Sequence, residues 1–303
     1  MALSISNAQR AEVLTQALPY IKKYNGKIVV IKYGGNAMIN EHLKEQVMED
    51  IVLLSLIGVK VVLVHGGGPE ITETMKKVGK ESVFLDGLRV TDKETAEIVQ
   101  MVLAGKINKS LVNLLEVKGG RAMGLSGMDD RMILCEQKDE RLGFVGKITK
   151  VNVTPVMDLL EKGYIPVVST VGVDKEGNVY NINADTAAAY IAGAMRAERL
   201  ITLTDIAGIL RDHTDPSTLI PELDIKEAHD LFERGIISGG MIPKVECCIE
   251  AIEHGVRKVI IMDGRVPHSI LIETLTNEGA GTMVIGDRNQ LKKRNDDKRD
   301  EQH

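Results

Sequence analysis

Two apolar runs that end in glycine turns constrain this chain more than anything else in it. Lys27-Ile28-Val29-Val30-Ile31-Lys32 leads into Tyr33-Gly34-Gly35, and Lys60-Val61-Val62-Leu63-Val64 leads into His65-Gly66-Gly67-Gly68-Pro69. A strand buried on both faces reads as a continuous apolar run, and such strands belong to parallel sheets covered by helices. A helical pattern follows each turn, so the repeating unit is strand, turn, helix. In open α/β sheets ligands bind beyond the carboxyl ends of the strands. Glycine lets backbone approach an anion closely, and the helix behind it offers unpaired N–H groups and a favourable dipole. Two such turns on consecutive strands predict a site for phosphate or carboxylate. Neither has the spacing G-x-x-x-x-G-K-[ST] or G-x-G-x-x-G, which argues against a P-loop and a dinucleotide oxidoreductase.

The rest of the chain continues the alternation. Strands are expected at 28–32, 60–64, 165–169, 200–203 and 258–262, with an edge strand near 282–285. Helices are expected at 41–57, after Pro69, at 92–103, 106–117 and 184–196, and last at 243–254. The stretch 121–153 reads as hairpins lying over the sheet. Before the first strand, Leu14, Ala17, Leu18 and Ile21 stand at helical spacing, giving an amphipathic helix bent near Pro19. The predicted class is α/β on a largely parallel open sheet that runs through two lobes, 26–195 and 196–286. Beyond Gly286 the chain is charged and almost without apolar residues, so 287–303 reads as a solvated tail.

A formal net charge of −5 with no basic block argues against nucleic acid, and 3% aromatics without tryptophan leaves no base-stacking platform. No apolar run approaches membrane-spanning length, and the opening MALSISNAQR has no apolar core of a secretory signal. Cys135, Cys247 and Cys248 show neither metal spacing nor a disulfide framework. A cytoplasmic protein without a membrane partner or protein-held metal is expected, the plastid stroma being the other compartment open.

Charged residues recur where anions would meet glycine turns. Asn181-Ile182-Asn183-Ala184-Asp185 places Asn183 as the N-cap of a helix and Asp185 in its first turn. Gly239-Gly240-Met241-Ile242-Pro243-Lys244 puts a lysine just inside a helix start, where the dipole disfavours it, so a role toward phosphate is the better reading. Gly87-Leu88-Arg89 carries one arginine in an apolar hairpin, and a guanidinium fork suits a carboxylate. A lone arginine is more often a surface ion pair. A histidine ending a strand is more often hydrogen-bonded structure, so His65 receives no catalytic role.

Taken in order, Lys32-Tyr33-Gly34-Gly35, His65-Gly66-Gly67-Gly68-Pro69, Gly87-Leu88-Arg89, Asn181-x-Asn183-Ala184-Asp185, Leu203-Thr204-Asp205 and Gly240-Met241-Ile242-Pro243-Lys244 resemble the amino acid kinase family, and within it the N-acetylglutamate kinases. The resemblance spans roughly residues 10–286. It implies a three-layer αβα sandwich with an extra N-terminal helix in 1–25, an acceptor lobe at 26–195 and a nucleotide lobe at 196–286. It implies that Lys32 and Lys244 stabilise a phosphoryl transition state, that Asp185 organises both, and that Gly34 and Gly35 hold phosphate. Gly67 and Gly68 would donate N–H groups to acceptor and phosphoryl group, and Arg89 and Asn181 would bind an acetylated amino acid. Asp205, Ile206, Ala207, Gly208, Ile209 and Leu210, with Ile236, Ile237 and Ser238, would line ATP, which arrives with Mg²⁺.

The N-terminal helix is similar to that of arginine-inhibited forms of these enzymes, in which it interlocks dimers into a homohexamer. That likeness implies arginine as an inhibitor, with His268 and Glu278 near its site. Some relatives in oxygenic phototrophs bind a PII-type regulator, an additional partner the resemblance suggests. Two rivals stand beside this reading: a kinase of the same fold acting on another acceptor, and a sensor of arginine or nucleotide without catalysis.

Overall fold

In a computed structural model that describes residues 6–38 and 40–287, the two glycine turns leave the sheet side by side. β1 (Ile28–Tyr33) and β2 (Lys60–His65) are parallel neighbours, with Ile28 opposite Lys60 and Tyr33 opposite His65. Equal length and a register without offset bring both carboxyl ends to one level. On its other side β1 pairs in parallel with β11 (Arg199–Thr204).

The eight-stranded sheet runs β12 (Glu222–Asp224), β14 (Gly281–Ile285), β13 (Lys258–Asp263), β11, β1, β2, β8 (Ile165–Ser169), β5 (Ala122–Ser126). All neighbours are parallel except β13 and β14. Successive side chains of a strand point to opposite faces, and the core divides accordingly. Val30, Val62, Val64 and Leu200 face one helical layer: α7 (Thr154–Glu161), α8 (Ala184–Ala194), α9 (Ile225–Glu233) and α10 (Ile242–Glu253). Val29, Ile31, Val61, Leu63, Ile201 and Leu203 face the other: α2 (Leu18–Tyr24), α3 (Glu41–Leu56), α4 (Gly68–Lys77), α5 (Lys93–Gln100), α6 (Asn108–Val117) and α11 (Ser269–Leu275). The three-layer αβα sandwich around a largely parallel sheet is thus as expected. α8 presents Ala187, Ala188, Ala189 and Ala192, all fully buried, so it lies close under the centre of the sheet and its first turn sits at the carboxyl end of β1.

Several elements differ from expectation. Residues 122–126 form β5, a parallel edge strand of the main sheet rather than a hairpin. Its small, interrupted side chains fit because only one edge is paired, and a Cβ at Gly124 would run into the Asn108 side chain. β6 (Ile133–Gln137) and β7 (Gly146–Val151) do form a hairpin, in a second sheet with β9 (Val171–Val173) and β10 (Val179–Asn181), while β3 (Phe84–Leu85) and β4 (Leu88–Arg89) make a small antiparallel pair of their own. The expected pair of helices at 92–103 and 106–117 is one rod, because a π-helical segment, Met101–Ile107, carries the chain through Ala104-Gly105. α11 follows the helix expected to be last, and β12 rather than β14 is the sheet edge.

At the N-terminus, α1 (Asn7–Gln16) opens on a Ser6/Gln9 capping box and gives way to α2 at Ala17, two residues before Pro19. Its apolar stripe does not cover the body of the chain: Val13, Leu14 and Leu18 are exposed, and α1 buries no residue. The charged tail beyond residue 287 lies outside the described residues.

Candidate active site

A cleft of about 750 Å³, open mouth included, lies beyond the carboxyl ends of β1 and β2. Lys32, Gly34, Gly35, Gly67, Gly68, Arg89, Asn181 and Asp185 line it, so sequence segments far apart converge on one space. β1 delivers Lys32, and the turn behind it passes through Gly35 at φ +69°, a left-handed conformation that glycine adopts without strain. In the second turn a Cβ on Gly67 would overlap the Ile107 side chain and stand 2.7 Å from Leu103 Cδ2. Glycine leaves the turn pressed against the π-helical segment, and a larger residue would have to displace Ile107 and Leu103. Gly67 caps α4 and Gly68 is its first residue, so their N–H groups have no partner within the helix.

Asp185 is where two sides of the site meet. Asn183 caps α8, accepting from the N–H groups of Asp185 and Thr186 at 3.0 and 3.1 Å, and this sets the carboxylate at the cleft floor. Lys32 Nζ lies 2.9 Å from Asp185 Oδ1, with side chains only 8% and 21% exposed. Burial pushes this carboxyl up, but the charges of Lys32 and Lys244 and the hydrogen bond from Lys32 outweigh it, leaving its pKa below the ordinary value. On its far side Asp185 lines a small pocket with Lys244, Thr202, Thr204 and Cys247. Lys244 is the third residue of α10, after the 3-10 turn Gly239–Met241. One carboxylate thus faces a lysine from the first turn and a lysine from the last.

Arg89 closes the opposite wall. It is 6% exposed, and its guanidinium donates to the Gly68 carbonyl at 3.0 Å, to Thr72 Oγ1 at 2.8 Å and to Ser82 Oγ. The Phe84 ring stacks 4.7 Å from its Cζ. Every partner is neutral, and among the described residues no carboxylate pairs with it. In place of the commoner surface ion pair, the charge is held in the wall of a cleft that Asn181 also lines, the Asn181 Nδ2–H reaching Thr91 Oγ1 at 3.4 Å. Thr72, Ser82 and Phe84 were not foreseen, since nothing in the chain marks them as partners of an arginine.

The remaining candidates lie elsewhere. Asp205 to Leu210 follow β11, and Ile236 to Ser238 precede the 3-10 turn before α10. Asp205, Ala207 and Ser238 are exposed, whereas Ile209 and Ile237 are core residues. His268 and Glu278 are outside the cleft: His268 Nδ1 lies 2.6 Å from Asp50 Oδ1 on α3, and Glu278 is exposed in the loop before β14. No group of three or more His, Cys, Asp or Glu among the described residues could hold a metal ion.

The sequence pattern of the amino acid kinase family matches residues 27–263. Acetylglutamate kinase of Clostridioides difficile (strain 630) is 54% identical over 279 residues, covering 92% of this chain and 98% of that one. Acetylglutamate kinase of Brachyspira hyodysenteriae is 55% identical over 286 residues, covering 94% and 99%. Among solved structures, N-acetylglutamate synthase from Neisseria gonorrhoeae, complexed with coenzyme A and N-acetyl-glutamate, superposes with a TM-score of 0.80 at 26% identity, over 91% of this chain and 63% of that one.

Proposed function

The chain belongs to the amino acid kinase family, and on that premise we propose that it is an acetylglutamate kinase. It transfers the γ-phosphoryl group of ATP to the side-chain carboxylate of N-acetyl-L-glutamate, forming N-acetyl-L-glutamyl 5-phosphate in arginine biosynthesis. The observation that carries this reading is Arg89, a buried guanidinium bonded, among the described residues, only to neutral groups across a cleft from Lys32 and Asp185. A buried charge without a counter-charge is unfavourable, so this wall is completed by an anionic ligand. The fork suits the acceptor's α-carboxylate, and Asn181 suits its acetamido group.

A side-chain carboxylate has an ordinary pKa of about 4.3 and is ionised at neutral pH, so the attacking oxygen needs no base. The obstacle is repulsion between that anion and the polyphosphate. Lys32, Lys244 and the Gly67 and Gly68 amides put positive charge and N–H donors around the transferring group. The acceptor oxygen bonds to the γ-phosphorus, the bond to the β–γ bridging oxygen breaks, and ADP leaves with that electron pair. Asp185 keeps both lysines oriented without touching the phosphate. A divalent metal such as Mg²⁺, bound with the nucleotide, would neutralise phosphate charge. Asp185 is already engaged by Lys32, so the metal would be held by phosphate oxygens and water rather than by this carboxylate.

Residues 26–195 would form the acceptor lobe and 196–286 the nucleotide lobe, with ATP lying along Asp205–Leu210 and Ile236–Ser238. The exposed Val13, Leu14 and Leu18 of the N-terminal helices support an arginine-inhibited homohexamer built through that segment. ADP release should be strong with N-acetyl-L-glutamate and weak with glutamate, aspartate or carbamate. Strong turnover on another acceptor would overturn the assignment of Arg89 and Asn181. Removing residues 1–24 should give dimers insensitive to arginine, and intact inhibited hexamers would refute the regulatory part.

A further inference from the structure

Behind the glycine turn, polar groups that never reach the cleft are linked in one direction. The backbone carbonyls of Leu125 on β5 and Val167 on β8 lie 3.2 and 2.8 Å from Asn108 Nδ2. Two acceptors can be met only by the NH₂ end of an amide, so they determine which way round Asn108 lies. Its Oδ1 has no partner among the described residues, so the amide is held from its nitrogen side. The same nitrogen lies 3.2 Å from His65 Nε2, so its two hydrogens serve three acceptors, one of them shared in a bifurcated bond. A donor-only group there requires Nε2 to be the bare nitrogen, so the ring proton sits on Nδ1. Nδ1 is 2.9 Å from the Gly66 carbonyl oxygen, which can only accept. Both ends of the ring therefore demand the same tautomer. Asn108 and His65 are 1% and 0% exposed, so water does not substitute for either.

The Gly66 carbonyl and the Gly67 N–H belong to one planar trans peptide unit and point in opposite directions. Holding the carbonyl toward His65, inside the protein, aims the Gly67 N–H outward to the cleft. The Gly66 N–H is tied down as well, to the Tyr33 carbonyl at 3.2 Å. We propose that Asn108 and His65 are positioning residues for phosphoryl transfer, Asn108 setting the imidazole tautomer and His65 orienting the peptide whose N–H meets the transferring group. This rests on the phosphotransferase reading of the cleft. Burial pushes the His65 pKa down to about 4, so the ring is neutral and the relay intact at neutral pH. The π-helical segment serves the same end. It ends one residue before Asn108, and its Leu103 and Ile107 press on Gly67 from behind.

Two substitutions separate the two nitrogens. In His65→Asn the amide nitrogen stands where Nδ1 was and can still donate to Gly66. In His65→Gln the amide reaches the place of Nε2, so the bond from Asn108 survives and the Gly66 carbonyl loses its donor. His65→Asn should keep kcat within about threefold of wild type. His65→Gln should lose about tenfold to a hundredfold, part of what removing one oxyanion donor costs, with the acceptor KM little changed. If His65 only fills space, glutamine, closer to it in volume, is the better replacement, and that reversed order would overturn the proposal. Nitrogen-15 NMR of histidine-labelled wild-type protein needs no variant to fold. His65 protonated at Nδ1 is the expected result, and protonation at Nε2 would overturn the relay. The spectrum reads the relay alone, whereas a wild type that phosphorylates no acceptor would overturn the reaction instead.

Discussion

Lys32→Met tests the centre of the site, because it removes the ammonium and keeps an unbranched stem of similar length. The lost group is one of the donors expected to meet the transferring phosphoryl, so kcat should fall about 10²–10³-fold, by analogy with losing one oxyanion donor. The structure also assigns a stability effect. Breaking a fully buried ion pair from one side costs about 3–5 kcal/mol. Here Asp185 is 21% exposed and keeps the charge of Lys244, so about 1–3 kcal/mol is expected. For a chain of this length that is a fall in Tm of roughly 2–5 °C. The sign of its pH dependence follows from Asp185. Its folded pKa lies below its ordinary value of 3.8, so the pair stabilises the fold above that pH and ceases to as the carboxylate protonates. The stability gap between wild type and Lys32→Met should therefore be widest near neutral pH and close in acid below 3.8. ADP release at saturating substrates reads the first effect and thermal unfolding the second. A second substitution, Asp185→Asn, should add little to the loss in kcat, since the two residues act as a unit. A folded Lys32→Met enzyme within tenfold of wild-type kcat would refute the mechanism.

Three further outcomes follow from the same geometry. Arg89→Lys should raise the N-acetyl-L-glutamate KM about tenfold to a hundredfold, the worth of a charge-assisted hydrogen bond, and leave kcat little changed; an unmoved KM would remove Arg89 from the acceptor site. Lys244→Met should lower kcat about 10²–10³-fold yet change stability by less than about 1 kcal/mol, because Lys244 acts on Asp185 through charge without a hydrogen bond; a Tm fall as large as that of Lys32→Met would make it structural. His65 should add acid lability: between its ordinary pKa of 6.5 and its folded value of about 4 the unfolded chain binds a proton that the folded one refuses. Stability then falls with pH by about 3 kcal/mol over that window, and urea melts of His65→Asn should lack that share of the slope.

What was legible in the chain depended on whether the deciding physics was local. β1, β2 and β11 were readable because burial on both faces leaves uninterrupted apolar runs, and the glycine turns because the left-handed backbone of Gly35 and the crowding of Gly67 by Ile107 and Leu103 favour glycine. Asn183 and Asp185 were readable because capping is a matter of two or three residues. β5 was not, since an edge strand paired on one side tolerates the small, mixed sequence Ala122-Met123-Gly124-Leu125-Ser126. Nor was the continuity of α5 and α6, where Gly105 looks like a break and the extra residue is absorbed by π-helical hydrogen bonding. The partners of Arg89 show the same limit. Ser82 is seven residues away and Thr72 seventeen, and nothing in the chain marks either as a ligand of a guanidinium.

The position of the site follows from the order of the strands. From β1 the chain moves outward through β2 toward β8 and β5, whereas from β11 it moves the other way toward β13 and β14. The loops leaving β1 and β11 therefore part, and a crevice opens where the direction of winding reverses. Lys32, Gly67, Gly68, Arg89 and Asn181 come from the half that begins with β1, and Lys244 comes from the half that begins with β11. α8 connects the halves, leading from the second sheet into β11 and lying beneath β1. Its first turn is thus the one place from which a single carboxylate can face a lysine on each side, and Asp185 occupies it. Moving that carboxylate one residue along α8 would turn it about 100° around the helix axis, away from both lysines. An Asp185→Ala, Thr186→Asp enzyme should accordingly keep its net charge and its Asn183 cap, fold, and lose kcat as fully as Asp185→Ala alone. Recovery of activity by the displaced carboxylate would mean that charge in the neighbourhood suffices, and that the alignment of both lysines by one group is not what the crevice is built to provide.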